Sequence, residues 1–188
     1  MNSTLARGAL RPGRGDYLQR ARALIPVLRQ RAEETEQCRR LPEATERLLH
    51  DTGLFRILQP ARVGGAELDF TLLLDVTAEL AKGCASTAWN FANLASHHWM
   101  LAMFPDQAQD VVWGPLPDAL IGSALVFPAG RAKRVPGGYR VSGHWPFSSG
   151  IDNSDWNMLA AVVAGEGADQ PPEQRLFLVP DSDYQIID

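Results

Sequence analysis

The residues of this chain that could do chemistry are four histidines, a few serines and one aromatic stretch. The stretch is Gly143-His144-Trp145-Pro146-Phe147-Ser148-Ser149-Gly150. It follows a strand-like run, Gly138 to Ser142, and precedes an apolar run, Trp156 to Val163. Aromatic rings beside hydroxyls at a strand end can lay an apolar surface against a planar ring. They can also aim Ser148 Oγ and backbone N–H groups at that ring's polar edge. His97 and His98 are adjacent inside the most apolar helical segment, where successive side chains point about 100° apart. One can face a pocket while the other contacts protein or a neighbouring subunit. Read alone, the stretch is a turn with buried aromatics, the two histidines are hydrogen-bonded core groups, and Ser123 is a strand serine satisfied by backbone. His50 ends an amphipathic helix, where a cation suits the helix dipole, and His144 suits a strand surface. Zinc-spaced Cys/His sets, a nucleophile elbow, a dinucleotide fingerprint and a phosphate loop are all missing from the sequence, so hydrolase and nucleotide-triphosphate readings have no support.

The elements that must position these residues fall into two blocks. Asp16 to about Arg40 carries an apolar stripe at helical spacing (Leu18, Ala21, Leu24, Ile25, Leu28), with Pro26 able to open a second helical piece. Leu41 to His50 is a second helix, stopped at Gly53. Phe70 to Lys82 is a third, closed by Gly83. Ser86 is a good N-cap for a helix over Thr87 to about Met103, apolar and aromatic enough to be buried nearly all round. Pro105 opens a short helix to Trp113. After Pro115-Leu116-Pro117 the helical period stops. Short β runs follow at Ala119–Phe127, Arg131–Val135, Gly138–Trp145, Trp156–Ala164, Leu176–Pro180 and Tyr184–Ile187, with a hairpin signal at Pro136-Gly137-Gly138 and a polar loop over Gly165–Pro172. The fold class expected is α+β: a disordered tail over 1–15, an all-helical domain over 16–114 and an antiparallel, barrel-like β domain over 115–188. The chain ends directly after a strand-like run, so this second domain reads as incomplete.

Composition narrows the function classes. Of 188 residues, 45% are hydrophobic and 21% charged, ordinary for a globular chain. A net charge of −4 without a recurring basic stripe argues against nucleic acid as partner. Arginines cluster in the first 40 residues, but from Arg29 onward they alternate with Glu33, Glu34 and Glu36, as on a solvated helix face. Cys38 and Cys84 have no CxxC spacing and suit a reducing cytoplasm. The basic, Gly- and Pro-containing start lacks the apolar core of a secretory signal. No apolar run approaches the ~20 residues that span a membrane.

Taken together, Pro60-Ala61-Arg62-Val63-Gly64-Gly65-Ala66-Glu67-Leu68, Cys84-Ala85-Ser86-Thr87-Ala88-Trp89, Ser96-His97-His98-Trp99 and Gly143-His144-Trp145 with Phe147-Ser148-Ser149-Gly150 resemble the acyl-CoA dehydrogenase superfamily. Within it they resemble the two-component flavin-dependent monooxygenases, similar to 4-hydroxyphenylacetate 3-hydroxylase and the secosteroid phenol hydroxylases. The resemblance runs from about residue 16 to the end. It implies a helical domain and a central β domain, without the C-terminal four-helix bundle of the family. It implies a phenolic substrate hydroxylated ortho to its hydroxyl, dioxygen, reduced FMN or FAD supplied by a separate flavin reductase, and a homo-oligomer. By position it places Ser148 at the flavin N5 edge, Trp145 against the ring system, and Ser149 and Gly150 as backbone near the flavin. It places His97 on the substrate phenol and Ser123 as a second substrate-side contact. A true acyl-CoA dehydrogenase, whose central motif usually reads Trp-Ile-Thr-Asn, and a truncated non-catalytic fragment of the fold are the alternatives.

Overall fold

The computed structural model describes residues 12–165 and 171–187. Most of the expected tail and the middle of the expected polar loop lie outside them. Six α-helices come first: α1 (Arg14–Gln30), α2 (Ala32–Cys38), α3 (Glu43–Asp51), α4 (Phe70–Ala81), α5 (Ala85–Leu101) and α6 (Asp106–Trp113). Leu28 of α1, Leu49 of α3, Leu73 and Leu80 of α4, and Phe91 and Leu94 of α5 meet in one core with Phe55. Gly83 makes the tight turn between α4 and α5 possible: a Cβ there would lie 2.8 Å from Leu28 Cβ and from the Ile25 carbonyl oxygen.

Local chemistry decides the helix ends. Asp69 caps α4, its carboxylate accepting from Thr71 N and Leu72 N. The cap of α5 is Cys84, whose Sγ accepts from Thr87 N at 3.4 Å. The expected cap, Ser86, is already inside the helix, because the chain turns at Gly83 and leaves Cys84 as the last extended residue. Pro26 sits within α1 rather than opening a new helix; the break comes at Arg31. One face of α5 is open to solvent, with Trp89 64% and Trp99 47% exposed, so the helix is not buried all round in this chain.

The expected change of character after Pro115 is observed. Strands β1 (Ile121–Ala124), β2 (Gly130–Val135), β3 (Gly138–Gly143), β4 (Trp156–Val163) and β5 (Glu173–Pro180) form one sheet. It is mixed rather than wholly antiparallel. β2 and β3 form the expected hairpin, with Gly137 at φ 83° in the turn, and β5 pairs antiparallel along the whole of β4. On its other edge β4 runs parallel to β1 through Trp156–Leu159 and to β2 through Val162 and Val163. The cause is the connection 144–155. It carries the chain from the end of β3 back to the start of β1, so β4 sets out in the same direction as β1. The aromatic-serine stretch lies in this connection. The expected last strand at Tyr184–Ile187 is irregular backbone after a short turn of 3-10 helix. A second core of Leu101, Trp113, Ile121 and Met158 joins the sheet to the helices.

Candidate functional site

The two adjacent histidines of α5 both reach the segment that leads into β1. His98 is fully buried and its Nε2 donates to the Ala119 carbonyl at 3.1 Å, with Trp113 edge-on to its ring. Burial, the largest cause, pushes its pKa down to about 4. His97 Nδ1 lies 2.6 Å from the Ile121 carbonyl oxygen. A carbonyl only accepts, so Nδ1 carries the proton and Nε2 keeps its lone pair. That lone pair accepts from Ser123 Oγ at 2.8 Å. Burial lowers the His97 pKa, against the raising effect of the Ile121 carbonyl. The neutral ring at pH 7 is the result. The expectation that one histidine faces a pocket and the other contacts protein is refined: both are anchored on the Ala119–Ile121 segment, and His97 alone has a second nitrogen directed at a hydroxyl.

Ser123 is the meeting point. Its side chain is held by His97, and its carbonyl accepts from Ser148 Oγ at 3.1 Å. Asn157 Nδ2 donates to the same Ser148 Oγ at 3.4 Å. Trp145 is fixed by its Nε1–H to the Ala160 carbonyl at 2.7 Å. Its indole lies on the bare backbone of Gly130 and Gly143, where Cβ atoms would come within 2.6 and 2.9 Å of ring carbons. Ser149 turns the other way and accepts from Trp89 Nε1 at 3.1 Å. Gly150, at φ 81°, packs so close to α5 that a Cβ would lie 2.9 Å from Leu94 side-chain carbons. These two residues therefore tie the connection to the helical block, while Ser148 and Trp145 face the opposite side.

That side is a cavity of about 690 Å³, with Trp145, Phe147, Ser148, Asn157, Leu159 and Tyr184 in its wall. Phe147 stands at its rim 94% exposed, in left-handed backbone at φ 61° that bulky L-residues seldom adopt. Tyr184 keeps a buried hydroxyl without a hydrogen-bond partner among the described residues, and burial, aided by Asp181, pushes its pKa up to about 12. It is a proton donor at any working pH. Neither His97 nor Ser123 lines this cavity; Ser148, which lines it, bonds to Ser123. The structure thus joins four of the expected site residues, His97, Ser123, Ser148 and Trp145, into one region and assigns Ser149 and Gly150 to its support. Sequence reasoning missed Asn157 and Tyr184. A lone amide in the apolar run Trp156–Val163 was a usable signal for Asn157; Tyr184 looked like one more strand residue. Among the described residues, no group of three His, Cys, Asp or Glu could hold a metal ion, and no helix is long and apolar enough to cross a membrane.

Comparison with known proteins places these features. Residues 19–116, just over half of the chain, match the family model described as acyl-CoA dehydrogenase, N-terminal domain. The chain is 42% identical over 171 residues to the flavin-dependent monooxygenase oxygenase subunit HsaA of Rhodococcus jostii, covering 91% of this chain and 44% of that protein. It is 38% identical to the oxygenase component of an FADH2-dependent resorcinol hydroxylase of Rhizobium sp., covering 90% of this chain and 41% of that one. The structure of XiaF from Streptomyces sp., in complex with FADH2 and glycerol, superposes with a TM-score of 0.85 at 34% identity, over 93% of this chain and 44% of that one. The chain thus spans less than half the length of these relatives. With its helical block, its mixed sheet and the residues gathered where they join, the chain belongs to the acyl-CoA dehydrogenase family, and its relatives there are oxygenase components of flavin-dependent monooxygenases.

Proposed function

We propose that this chain forms the flavin-binding and substrate-activating part of an oxygenase component that hydroxylates a phenol. Reduced FMN or FAD would come from a separate flavin reductase, with dioxygen as co-substrate, in the cytoplasm. The observation that carries this reading is the double use of Ser123. Its hydroxyl is held by His97, a candidate for the phenol side, and its carbonyl by Ser148, a candidate for the flavin side. The residues of the cavity fit a flavin. Its volume is within the usual range for such ligands, Trp145 supplies an immobile apolar edge, and Ser148 Oγ, its proton given to the Ser123 carbonyl, presents a lone pair. Trp145 and Ser148 would hold the ring, with Ser149 and Gly150 fixing the backbone that carries them. When bound, reduced flavin supplies the activation of dioxygen.

The protein's own part is to ready the phenol. Neutral His97 accepts a hydrogen bond from the Ser123 hydroxyl at Nε2, which leaves Ser123 Oγ rich in electron density and able to accept a phenol O–H. As negative charge builds on the phenol oxygen, its proton passes to Ser123 Oγ and the Ser123 proton passes to Nε2. His97 then carries protons on both nitrogens beside the phenolate and returns one when product leaves. A buried imidazolium is unfavourable alone, so the transfer is coupled to the appearance of a neighbouring negative charge. The more the ring approaches phenolate, the more readily it takes up an electrophilic oxygen. The test is anaerobic titration of the protein with reduced FMN and reduced FAD, followed by tryptophan fluorescence. Saturable quenching that Trp145→Ala weakens supports the reading. Absence of binding to either flavin overturns it.

A further inference from the structure

Asn157 is the one polar side chain of the apolar strand β4, and it is only 4% exposed. Its hydrogen bonds have a direction. The Ser123 carbonyl can only accept, so Ser148 Oγ donates its single proton there, at 3.1 Å. Ser148 Oγ must then be the acceptor for Asn157, whose Nδ2 lies 3.4 Å away. Protons therefore point one way, from Asn157 to Ser148 to Ser123. One consequence follows at this corner of the cavity. Ser148 has no proton left for a ligand and presents a lone pair. Asn157 Oδ1 is closed to a ligand: it is buried, without a partner among the described residues, and faces the bare Gly122, where a Cβ would lie 3.4 Å from it. A buried amide oxygen left unpaired is costly to stability.

We propose that Asn157 is a positioning residue that fixes Ser148 as an acceptor at this corner, so that the site selects reduced over oxidised flavin. The inference rests on the flavin reading of the cavity. Reduced flavin carries a proton on the nitrogen of its central ring, and oxidised flavin carries only a lone pair there. A Ser148 hydroxyl held as an acceptor attracts the first and repels the second. Without Asn157, the Ser148 hydroxyl is freed to rotate from Ser123 and donate to the oxidised ring, and the discrimination is lost. Tyr184, the hydroxyl donor elsewhere in the wall, is unaffected by the change.

The experiment compares dissociation constants of oxidised and of anaerobically reduced FMN, and of FAD, for wild type, Asn157→Leu and Asn157→Ala, with melting temperatures alongside. Wild type should favour the reduced form. Either variant should shrink the oxidised-to-reduced ratio by about tenfold, equivalent to a shift of about 30 mV in the bound flavin's two-electron potential. Asn157→Leu should melt no lower than wild type, since it removes a buried unpaired oxygen. In a Ser148→Ala background the same substitution should change the ratio by less than twofold. If wild type prefers reduced flavin and both variants keep the ratio, Asn157 only packs; the inference falls and the flavin reading stands. A variant that weakens both redox forms equally also overturns it. If wild type binds neither flavin, both readings fall.

Discussion

His97 and His98 differ in what their second nitrogen does, and that difference separates a chemical role from a structural one. His97 offers its Nε2 lone pair to Ser123, while His98 is enclosed against Trp113 and donates to Ala119. His97→Asn should lower phenol hydroxylation by ~10²-fold, the scale of a lost acid–base partner, while flavin binding persists and hydrogen peroxide is released instead. Ser123→Ala should fall in the same direction by ~10-fold or more. Product and peroxide yields per dioxygen consumed measure both effects; uncoupling by His98→Asn and not by His97→Asn would transfer the role to His98. For stability the two histidines act alike. His98 has a pKa of about 4 when folded and 6.5 as its ordinary value, so between these values the unfolded chain binds more protons. Its contribution is complete above pH ~6.5 and is lost as pH falls toward ~4, on the order of 3 kcal/mol in all. Urea unfolding across this range should show the decline, and His98→Asn should flatten it without abolishing it, because the His97 pKa is lowered by burial too. An unchanged slope would contradict this account.

At the scale of elements, the connection 144–155 decides both topology and site. It turns β4 parallel to β1 and sets Ser148 beside Ser123. Asn153 pins it to the helical block by bonds to the backbone of Leu41, and Asp155 pins it to the residue before β1 by accepting from Leu120 N at 2.8 Å. Trp145 depends on glycine at 130 and 143. Gly143→Ala places a Cβ 2.4 Å from the Ala129 carbonyl oxygen and should cost about 1–3 kcal/mol. Weaker flavin quenching and a lower melting temperature are expected; unchanged values for both would show that the indole has room to move. The helical period, the Pro-Gly hairpin and the switch after Pro115 were legible because they are local patterns. Strand direction was not, since it depends on where a twelve-residue connection leads rather than on any strand's own residues. The cap at Cys84 escaped because sulfur is a weak acceptor that sequence rules rank below serine. His97, Ser123 and Ser148 were legible through resemblance. Their joining through one residue was not, because the Ser123 carbonyl acts through the backbone, which every residue has.

The whole molecule leaves an apolar face on α4 and α5. Phe70 and Trp99 stack edge to face at 5.4 Å, both exposed; Leu74, one helical turn along α4 from Phe70, is 60% exposed, and Met103, just past the end of α5, 63%. Exposed apolar groups of this kind are what association surfaces carry, so the chain is expected to self-associate. Light scattering should show species larger than the monomer, and Leu74→Glu with Trp99→Glu should shift them down; a clean wild-type monomer at high concentration would contradict this. The role proposed for the His97–Ser123 pair is to ready a phenol for an oxygen atom derived from dioxygen. It is tested most directly by supplying the protein with a flavin reductase, flavin, a phenol and isotopically labelled dioxygen, and weighing the product. Wild type should give a catechol with one labelled oxygen, and His97→Asn peroxide with little labelled product. A wild-type protein that binds reduced flavin yet yields no labelled product from any phenol, or a His97→Asn protein that labels it as efficiently as wild type, would contradict it.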